Sequence, residues 1–149
     1  MTVCRGIRGA TTADANTEEA IHSATAEMVQ ALIDANDLEE NSLAAVFFTI
    51  TPDLDAAFPA TAARRLAWPN APLMDMTQVV VEGSLPRCIR ILILVNTDKE
   101  PRDLKYVYLT GAESLRASRN FSTLLMVIVS GPDCALRIFR LRLWWGISF

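Results

Sequence analysis

The chain has 149 residues, enough for one domain with a substantial core and too few for two. Hydrophobic residues make up 51% of the chain and charged residues 21%, which excludes a disordered polypeptide. The formal net charge of −3 argues against general binding to nucleic acid, because such binding needs a basic surface.

The first predicted elements are a strand and a long helix. The strand covers about residues 3–9, and a polar loop follows it. Asn16 is placed to cap a helix, with Glu19 three positions later completing a capping box. Apolar residues then recur at intervals of three and four, which predicts one buried helical face that ends at Asn36: Ile21, Ala24, Met28, Leu32 and Ala35.

The next part of the chain reads as a sheet interrupted by a short helix. Strands are predicted over 43–50, 72–76, 88–96 and 106–109, and a helix carrying Arg64 and Arg65 is predicted to begin at Pro59. Residues 79–81 are all valine and either extend the third strand or form its neighbour. This order predicts an α+β fold in which helices cover one face of a single mixed β-sheet.

The last segment, residues 121–149, differs in composition from what precedes it. It is rich in apolar and aromatic residues and holds one acid, but its nearly apolar run, residues 121–129, is too short for a bilayer, which needs about 20 residues in a helix. One interpretation is an extra β-hairpin. The favoured one is a tail that is not an evolved part of the domain, such as read-through or a shifted reading frame. We therefore divide the chain into a domain over 1–118 and a tail over 119–149.

Cysteine and histidine usage limits the possible chemistry. Cys4, Cys88 and Cys134 form no CxxC motif and no Cys/His cluster, so free thiols in a reducing compartment are expected. The N-terminus resembles neither a signal peptide nor a transit peptide, which favours the cytoplasm. With His22 as the one histidine, His-based triads and most zinc sites are excluded.

Two arginines occupy positions where the pattern calls for apolar side chains. Arg8 lies within the first strand, and Arg90 lies within the apolar run 88–95. Both are expected to be buried, and burying an unpaired guanidinium, which stays charged, costs several kcal/mol. No acid is adjacent to Arg90, so its partner comes from elsewhere in the fold or from a ligand. Of these two hypotheses, an anionic ligand is the more specific.

Several familiar motifs are absent from the sequence. It has no phosphate-binding glycine loop, no nucleophile elbow and no metal-ligand spacing. For Arg64 and Arg116 taken alone, a solvated or ion-paired role is the simpler interpretation. Tyr108 is equally compatible with packing and with hydrogen bonding.

Taken together, five segments in order resemble a known family, the small monofunctional chorismate mutases of the AroH class. The likeness extends over about residues 2–116 and is carried by Arg5–Thr12, Thr51–Leu54, Phe58–Ala60, Cys88–Arg90 and Val107–Leu109. The resemblance implies a homotrimer forming a pseudo-α/β-barrel, with active sites between subunits. It implies rearrangement of chorismate to prephenate in one pericyclic step, without a cofactor or a metal. It implies neither a nucleic-acid nor a membrane partner.

The resemblance also implies roles for individual positions. Arg90 matches an arginine that contacts the ether oxygen and a carboxylate of the substrate, Arg8 a second carboxylate ligand, and Tyr108 a hydroxyl donor to a carboxylate. Phe58 and Ala60 match residues that the neighbouring subunit contributes, and Arg64 matches a residue at the pocket mouth. Leu115 and Arg116 match a mobile C-terminal segment that closes the site.

Two positions depart from the family pattern. Gln78 stands where a glutamate usually meets the substrate hydroxyl and the arginine, and Asp75 stands where a cysteine is common. Both side chains can accept a hydrogen bond from that hydroxyl. Our hypothesis is that the carboxylate has moved from position 78 to position 75, which leaves the net charge of the site unchanged.

Two other functions are compatible with the residues. Enamine/imine deaminases of the Rid type resemble this architecture and also hold a substrate carboxylate with an arginine between subunits. A trimeric module that binds aromatic carboxylates without catalysis is the second alternative.

Overall fold

The computed structural model describes residues 1–117, and the statements below concern this part of the chain. The predicted tail over 119–149, including Cys134, lies outside the described residues. In chain order the elements are β1 (Val3–Thr12), α1 (Glu18–Asn36), a 3-10 turn (Glu40–Ser42), β2 (Leu43–Ile50), α2 (Pro59–Leu66), β3 (Leu73–Thr77), β4 (Cys88–Thr97), β5 (Val107–Tyr108), a second 3-10 turn (Thr110–Glu113) and α3 (Ser114–Ala117).

The strands form one mixed sheet of five strands in the order β3-β2-β4-β1-β5. Strand β4 is antiparallel to both of its neighbours, β1 and β2. The two edge strands are parallel to their neighbours, β3 to β2 and β5 to β1. The predicted α+β class with a mixed sheet is therefore confirmed.

Alternating burial along β4 gives the sheet two different faces. Ile89, Ile91, Ile93 and Val95 are buried in one core with apolar residues of α1 and α2, so this is the helix face. The intervening side chains of β4, beginning with Arg90, lie on the other face, called here the open face. Arg90 is exposed in the single chain, so its expected burial is wrong. Within residues 1–117 the two longer helices, α1 and α2, pack on the opposite face of the sheet.

The N-cap of helix α1 lies one residue later than predicted. The hydroxyl of Thr17 accepts a hydrogen bond from the Ala20 amide at 3.2 Å, so Thr17 is the N-cap and the predicted capping role of Asn16 is wrong. The side-chain oxygen of Asn16 instead accepts hydrogen bonds from the Asp55 and Ala56 amides, each at 3.1 Å. Asn16 thereby holds the loop that leads into α2.

The valine run 79–81 forms no strand, contrary to the prediction. The ladder between β2 and β3 ends at Thr77, and the Gln78 amide makes a last hydrogen bond to the Ile50 carbonyl at 2.8 Å. Because β2 ends there, the valines have no partner strand, and their side chains are exposed.

Gly9 permits a close approach of three elements. A Cβ atom at this position would lie 3.0 Å from the Leu32 and Ile91 side chains and 3.1 Å from the Val107 carbonyl oxygen. The first belongs to α1 and the others to β4 and β5, so a larger residue would push the helix or the edge strand away from β1. Within residues 1–117, no helix has the length and hydropathy needed to cross a bilayer.

Candidate active site

Strand register brings the predicted polar residues together on the open face. Directly paired residues in neighbouring strands share a face, and residues two apart in one strand share it too. One row across the sheet therefore contains, from β3 to β5, Met76, Thr49, Arg90, Ala10 and Tyr108. The next row contains Met74, Phe47, Leu92 and Arg8.

A cavity of about 270 Å³ opens where these rows meet β5. It brings together four side chains that the sequence singled out, which are those of Arg8, Arg90, Tyr108 and Leu115, and Gly9, Ala10 and Ile91 complete its lining. Its size suits a small organic molecule rather than a macromolecule.

The two arginines in the cavity carry charges that no described acid neutralises. The ion pairs within residues 1–117 join Asp98 to the N-terminus, Glu18 to His22 and Asp37 to Lys99. Arg8 is half-buried and Arg90 is exposed, so both guanidiniums remain available to an anion in the cavity. The same part of the chain contains no group of three or more His, Cys, Asp or Glu side chains that could hold a metal ion.

Tyr106 is a site residue that the sequence analysis missed. The guanidinium carbon of Arg8 lies 5.5 Å from the centroid of the Tyr106 ring, which is the geometry of a cation–π contact. This contact restrains Arg8 at the wall of the cavity. The signal was present in the sequence, since Tyr106 and Tyr108 are two residues apart in a predicted strand and therefore share a face.

A second group of predicted residues gathers around the start of α2. A carboxylate oxygen of Asp75 accepts a hydrogen bond from the Ala60 amide at 3.0 Å. Burial raises the pKa of Asp75 from its ordinary value, while that hydrogen bond and the nearby Arg64 charge oppose the increase. Phe58 precedes the helix, and its side chain is 69% exposed.

Asp75 does not join Arg90 within one chain. It pairs with Phe48, whereas Arg90 pairs with the next residue, Thr49, so the two side chains lie on opposite faces of the sheet. Within one chain, Asp75 therefore does not supply a carboxylate beside Arg90, and the hypothesis that the carboxylate has moved from position 78 to position 75 stays a prediction about the assembled site. Phe58, Ala60, Arg64 and Asp75 form a group separate from the cavity.

Gln78 fastens the ends of two strands. Its side-chain nitrogen donates hydrogen bonds to the carbonyls of Thr49 and Cys88, each at 2.9 Å. A carboxylate has no proton to donate to these carbonyls, so the amide suits this position better than a glutamate would. With its nitrogen used in this way, Gln78 offers a ligand its oxygen only.

Of the two C-terminal residues of the predicted site, the structure describes the side chain of Leu115 but not that of Arg116. Leu115 lines the cavity from α3. The backbone of Arg116 belongs to the same helix, but its side chain lies outside the described residues.

Comparisons with known proteins agree with this arrangement. Residues 4–119 match the family model of chorismate mutase type I. A protein named chorismate mutase AroH from Thermus thermophilus is 49% identical over 113 residues, covering 75% of this chain and 93% of the relative. Another of the same name from Bacillus subtilis (strain 168) is 38% identical over 113 residues, covering 75% of this chain and 89% of the relative. A solved chorismate mutase from Clostridium thermocellum superposes with a TM-score of 0.72 at 46% identity, covering 74% of this chain and 98% of that structure.

Proposed function

We infer the mechanism from the premise that the chain belongs to the chorismate mutase type I family. It is an isomerase that rearranges chorismate to prephenate, as the resemblance in its sequence predicted. The comparisons support this function and not the deaminase or the non-catalytic binding module. The reaction is a single pericyclic step within one molecule, so it needs neither a nucleophile nor a proton relay.

Arg90 supplies the central electrostatic contribution in this proposal. The ether oxygen of chorismate gains negative charge as its bond breaks, and a donor fixed in advance beside it lowers the barrier. The Arg90 guanidinium faces the cavity without an acid partner in the described chain, so its charge is available to the transition state. We assign it to the ether oxygen and to one substrate carboxylate.

Arg8 and Tyr108 hold the substrate in this proposal. Chorismate carries two carboxylates, and a guanidinium and a phenol hydroxyl are suitable donors to them. Arg8 and Tyr108 lie on the same face as Arg90, in the same cavity. Fixing the carboxylates favours the compact conformer in which the reacting carbons meet.

The open face supports a trimer in which neighbours complete each site. Three apolar side chains are exposed on it, Leu92 at 37%, Met74 at 53% and Met76 at 40%. An apolar sheet face of this kind favours burial against another copy of the chain. A neighbouring copy would bring the other half of the site, Phe58, Ala60, Arg64 and Asp75, to the cavity.

Two measurements test the proposed assembly. Sedimentation of the wild type should give the mass of a trimer, and Met74→Asp should give monomers with little activity, because it places a charge on the open face. Ser23→Asp, on the exposed side of α1, is the matched control and should stay trimeric. A monomeric wild type with full activity would contradict the proposal.

Mixing two defective variants tests whether sites lie between subunits. Arg90→Ala and Arg64→Glu alter different halves of the site. If each site takes Arg90 from one chain and Arg64 from its neighbour, random exchange of equal amounts into ring-shaped trimers should leave wild-type residues at both positions in roughly a quarter of all sites. Recovery of activity after subunit exchange would support shared sites, and no recovery would count against them.

We further propose that residues 119–149 are dispensable for catalysis and that the enzyme works in the cytoplasm. The family match ends at residue 119, and the described cysteines, Cys4 and Cys88, are free thiols suited to a reducing compartment. A chain ending at residue 118 should keep its kcat/KM, and cell fractionation tests the location.

The cavity that holds Arg8, Arg90 and Tyr108 is the observation that carries the mechanism. Following chorismate disappearance and prephenate formation with the purified protein tests the activity directly. Chorismate loss without prephenate would indicate another reaction, and tight binding without turnover would indicate a binding module.

A further inference from the structure

Three threonine hydroxyls join the end of β1 to the start of the C-terminal segment. The Thr110 hydroxyl oxygen accepts a hydrogen bond from the Thr12 amide at 3.0 Å and lies 2.9 Å from the Thr12 hydroxyl and 3.2 Å from the Thr11 hydroxyl. The Gly111 amide donates to the Thr12 hydroxyl at 3.3 Å. The two chain segments are thus connected by side chains immediately beyond the last backbone hydrogen bonds of β5.

The backbone of Thr110 has a conformation that favours glycine over a β-branched residue. Its φ angle is +48°, in the left-handed region that β-branched residues rarely adopt. Glycine would suit that backbone with less strain, but it has no hydroxyl. Strained residues of this kind persist where surrounding contacts hold them, and here the contacts are those of the Thr110 hydroxyl.

The threonine cluster lies between two residues that line the cavity. Tyr108 precedes Thr110 by two residues, and Leu115 follows it by five. The Leu109 amide donates to the Ala10 carbonyl at 2.9 Å, so the chain follows β1 up to the cluster. Beyond it, the buried Ala112 is the next residue anchored in the core. The cluster therefore determines where the segment carrying Leu115 leaves the sheet.

We propose that Thr12 and Thr110 form a hydroxyl latch that positions Leu115 against the bound substrate. Both are positioning residues, since they act on the ligand through Leu115 and Tyr108. The inference rests on the proposed function of the cavity and adds to it two residues that determine substrate affinity.

Thr110→Val tests the latch because valine keeps the shape and removes the hydroxyl. Losing its hydrogen bonds should raise the KM for chorismate about 3- to 10-fold, with kcat changing less than about twofold, because substrate binding rather than the chemical step is weakened. Thr110→Ser keeps the hydroxyl and should restore KM to within about twofold of the wild type. Thr2→Val, an exposed threonine before β1, is the matched control and should leave both constants unchanged.

Two further variants separate positioning from general stability. Thr110→Gly relieves the backbone strain, so its melting temperature should equal or exceed that of Thr110→Val, while its KM should stay raised. In the double variant of Thr12→Val and Thr110→Val, KM should be no higher than in the worse single variant, because both changes open the same latch. A KM that follows the melting temperature across the series, or effects that simply multiply, would overturn the proposal.

Hydrogen exchange gives a readout that does not depend on activity. In Thr110→Val, the amides of residues 109–117 should exchange about tenfold faster than in the wild type, while those of β4 should not change. Unchanged exchange in that segment, or a wild-type KM, would refute the latch. A wild type that makes no prephenate would refute the proposed function instead, and the exchange result would still decide whether the latch exists.

Discussion

Replacing Arg90 with alanine should lower kcat by about 10²–10³-fold, which corresponds to roughly 2.7–4 kcal/mol of transition-state stabilisation. The structure explains why the effect falls on kcat. Arg8 and Tyr108 remain in the same cavity to bind the carboxylates, so the substrate still binds, although it loses the carboxylate contact of Arg90. The larger loss is that of the donor assigned to the ether oxygen, which acts in the transition state. Arg90→Lys should recover little, because lysine keeps the charge without the planar fork of donors.

Loss of folding should not explain the Arg90 effect. Arg90 is exposed in the single chain, and none of the ion pairs in residues 1–117 includes it, so the melting temperature should stay near that of the wild type. Initial rates of prephenate formation over a range of chorismate concentrations give kcat and KM separately. Arg102→Ala, in the exposed loop after β4, is the control and should have wild-type activity. A kcat of Arg90→Ala within about tenfold of the wild type would refute the assigned role.

Four more predictions concern Asp75, Gly9 and Tyr106, two of them at Asp75. Asp75→Ala should lower kcat/KM about tenfold or more through loss of a charged hydrogen bond, and an unchanged value would remove Asp75 from the site. Burial raises the pKa of Asp75 above 3.8, its ordinary value, so the folded protein holds the proton of this carboxyl more tightly than the unfolded chain does. The protonated carboxyl therefore contributes to stability below pH 3.8, and this contribution is lost as the pH rises through the folded-state pKa. Asp75→Asn, which cannot ionise, should therefore have a higher free energy of unfolding than the wild type near neutral pH, and this difference should disappear in acid. Urea midpoints measured at both pH values test this. Gly9→Ala should cost about 1–3 kcal/mol of unfolding free energy, because the added Cβ meets a backbone carbonyl as well as two side chains, and an unchanged urea midpoint would contradict this. Tyr106→Leu should raise the KM for chorismate about 2- to 5-fold through loss of the cation–π contact, whereas Tyr106→Phe keeps the ring and should behave as the wild type. Equal losses in the two variants would point to the hydroxyl instead.

Local patterns in the sequence predicted the types of element and the residues that matter most. The apolar run of β4 and the apolar periodicity of α1 gave the correct element types. The spacing of apolar residues along an element depends on which of its sides are buried, so it can be read from the local sequence. Arg8 and Arg90 stood out because charged side chains interrupt apolar strands, whereas Tyr108 was singled out by the family resemblance. The structure places all three in the lining of one cavity. The resemblance to chorismate mutases supplied the reaction, and the comparisons confirmed it.

The structural predictions were wrong where the conformation of a segment depends on distant parts of the chain. The valines at 79–81 have a strand composition but no strand beside them to pair with. Asn16 has the chemistry of a helix cap, but the loop before α2 uses its side chain instead. In both cases the deciding segment, which is the end of β2 at Ile50 for the valines and residues 55–56 for Asn16, is more than 20 residues away, so no local window contains it.

The sequence by itself indicated an α+β domain with an arginine site for an anionic ligand, because composition, periodicity and arginines within apolar strands are local properties. The family resemblance then implied that this ligand is a dicarboxylate. Only the tertiary structure decided which face each side chain occupies. A one-residue difference in strand pairing places Asp75 beneath α2 and Arg90 on the opposite face. Register between strands depends on packing across the whole sheet, and it separates the candidate site into two halves.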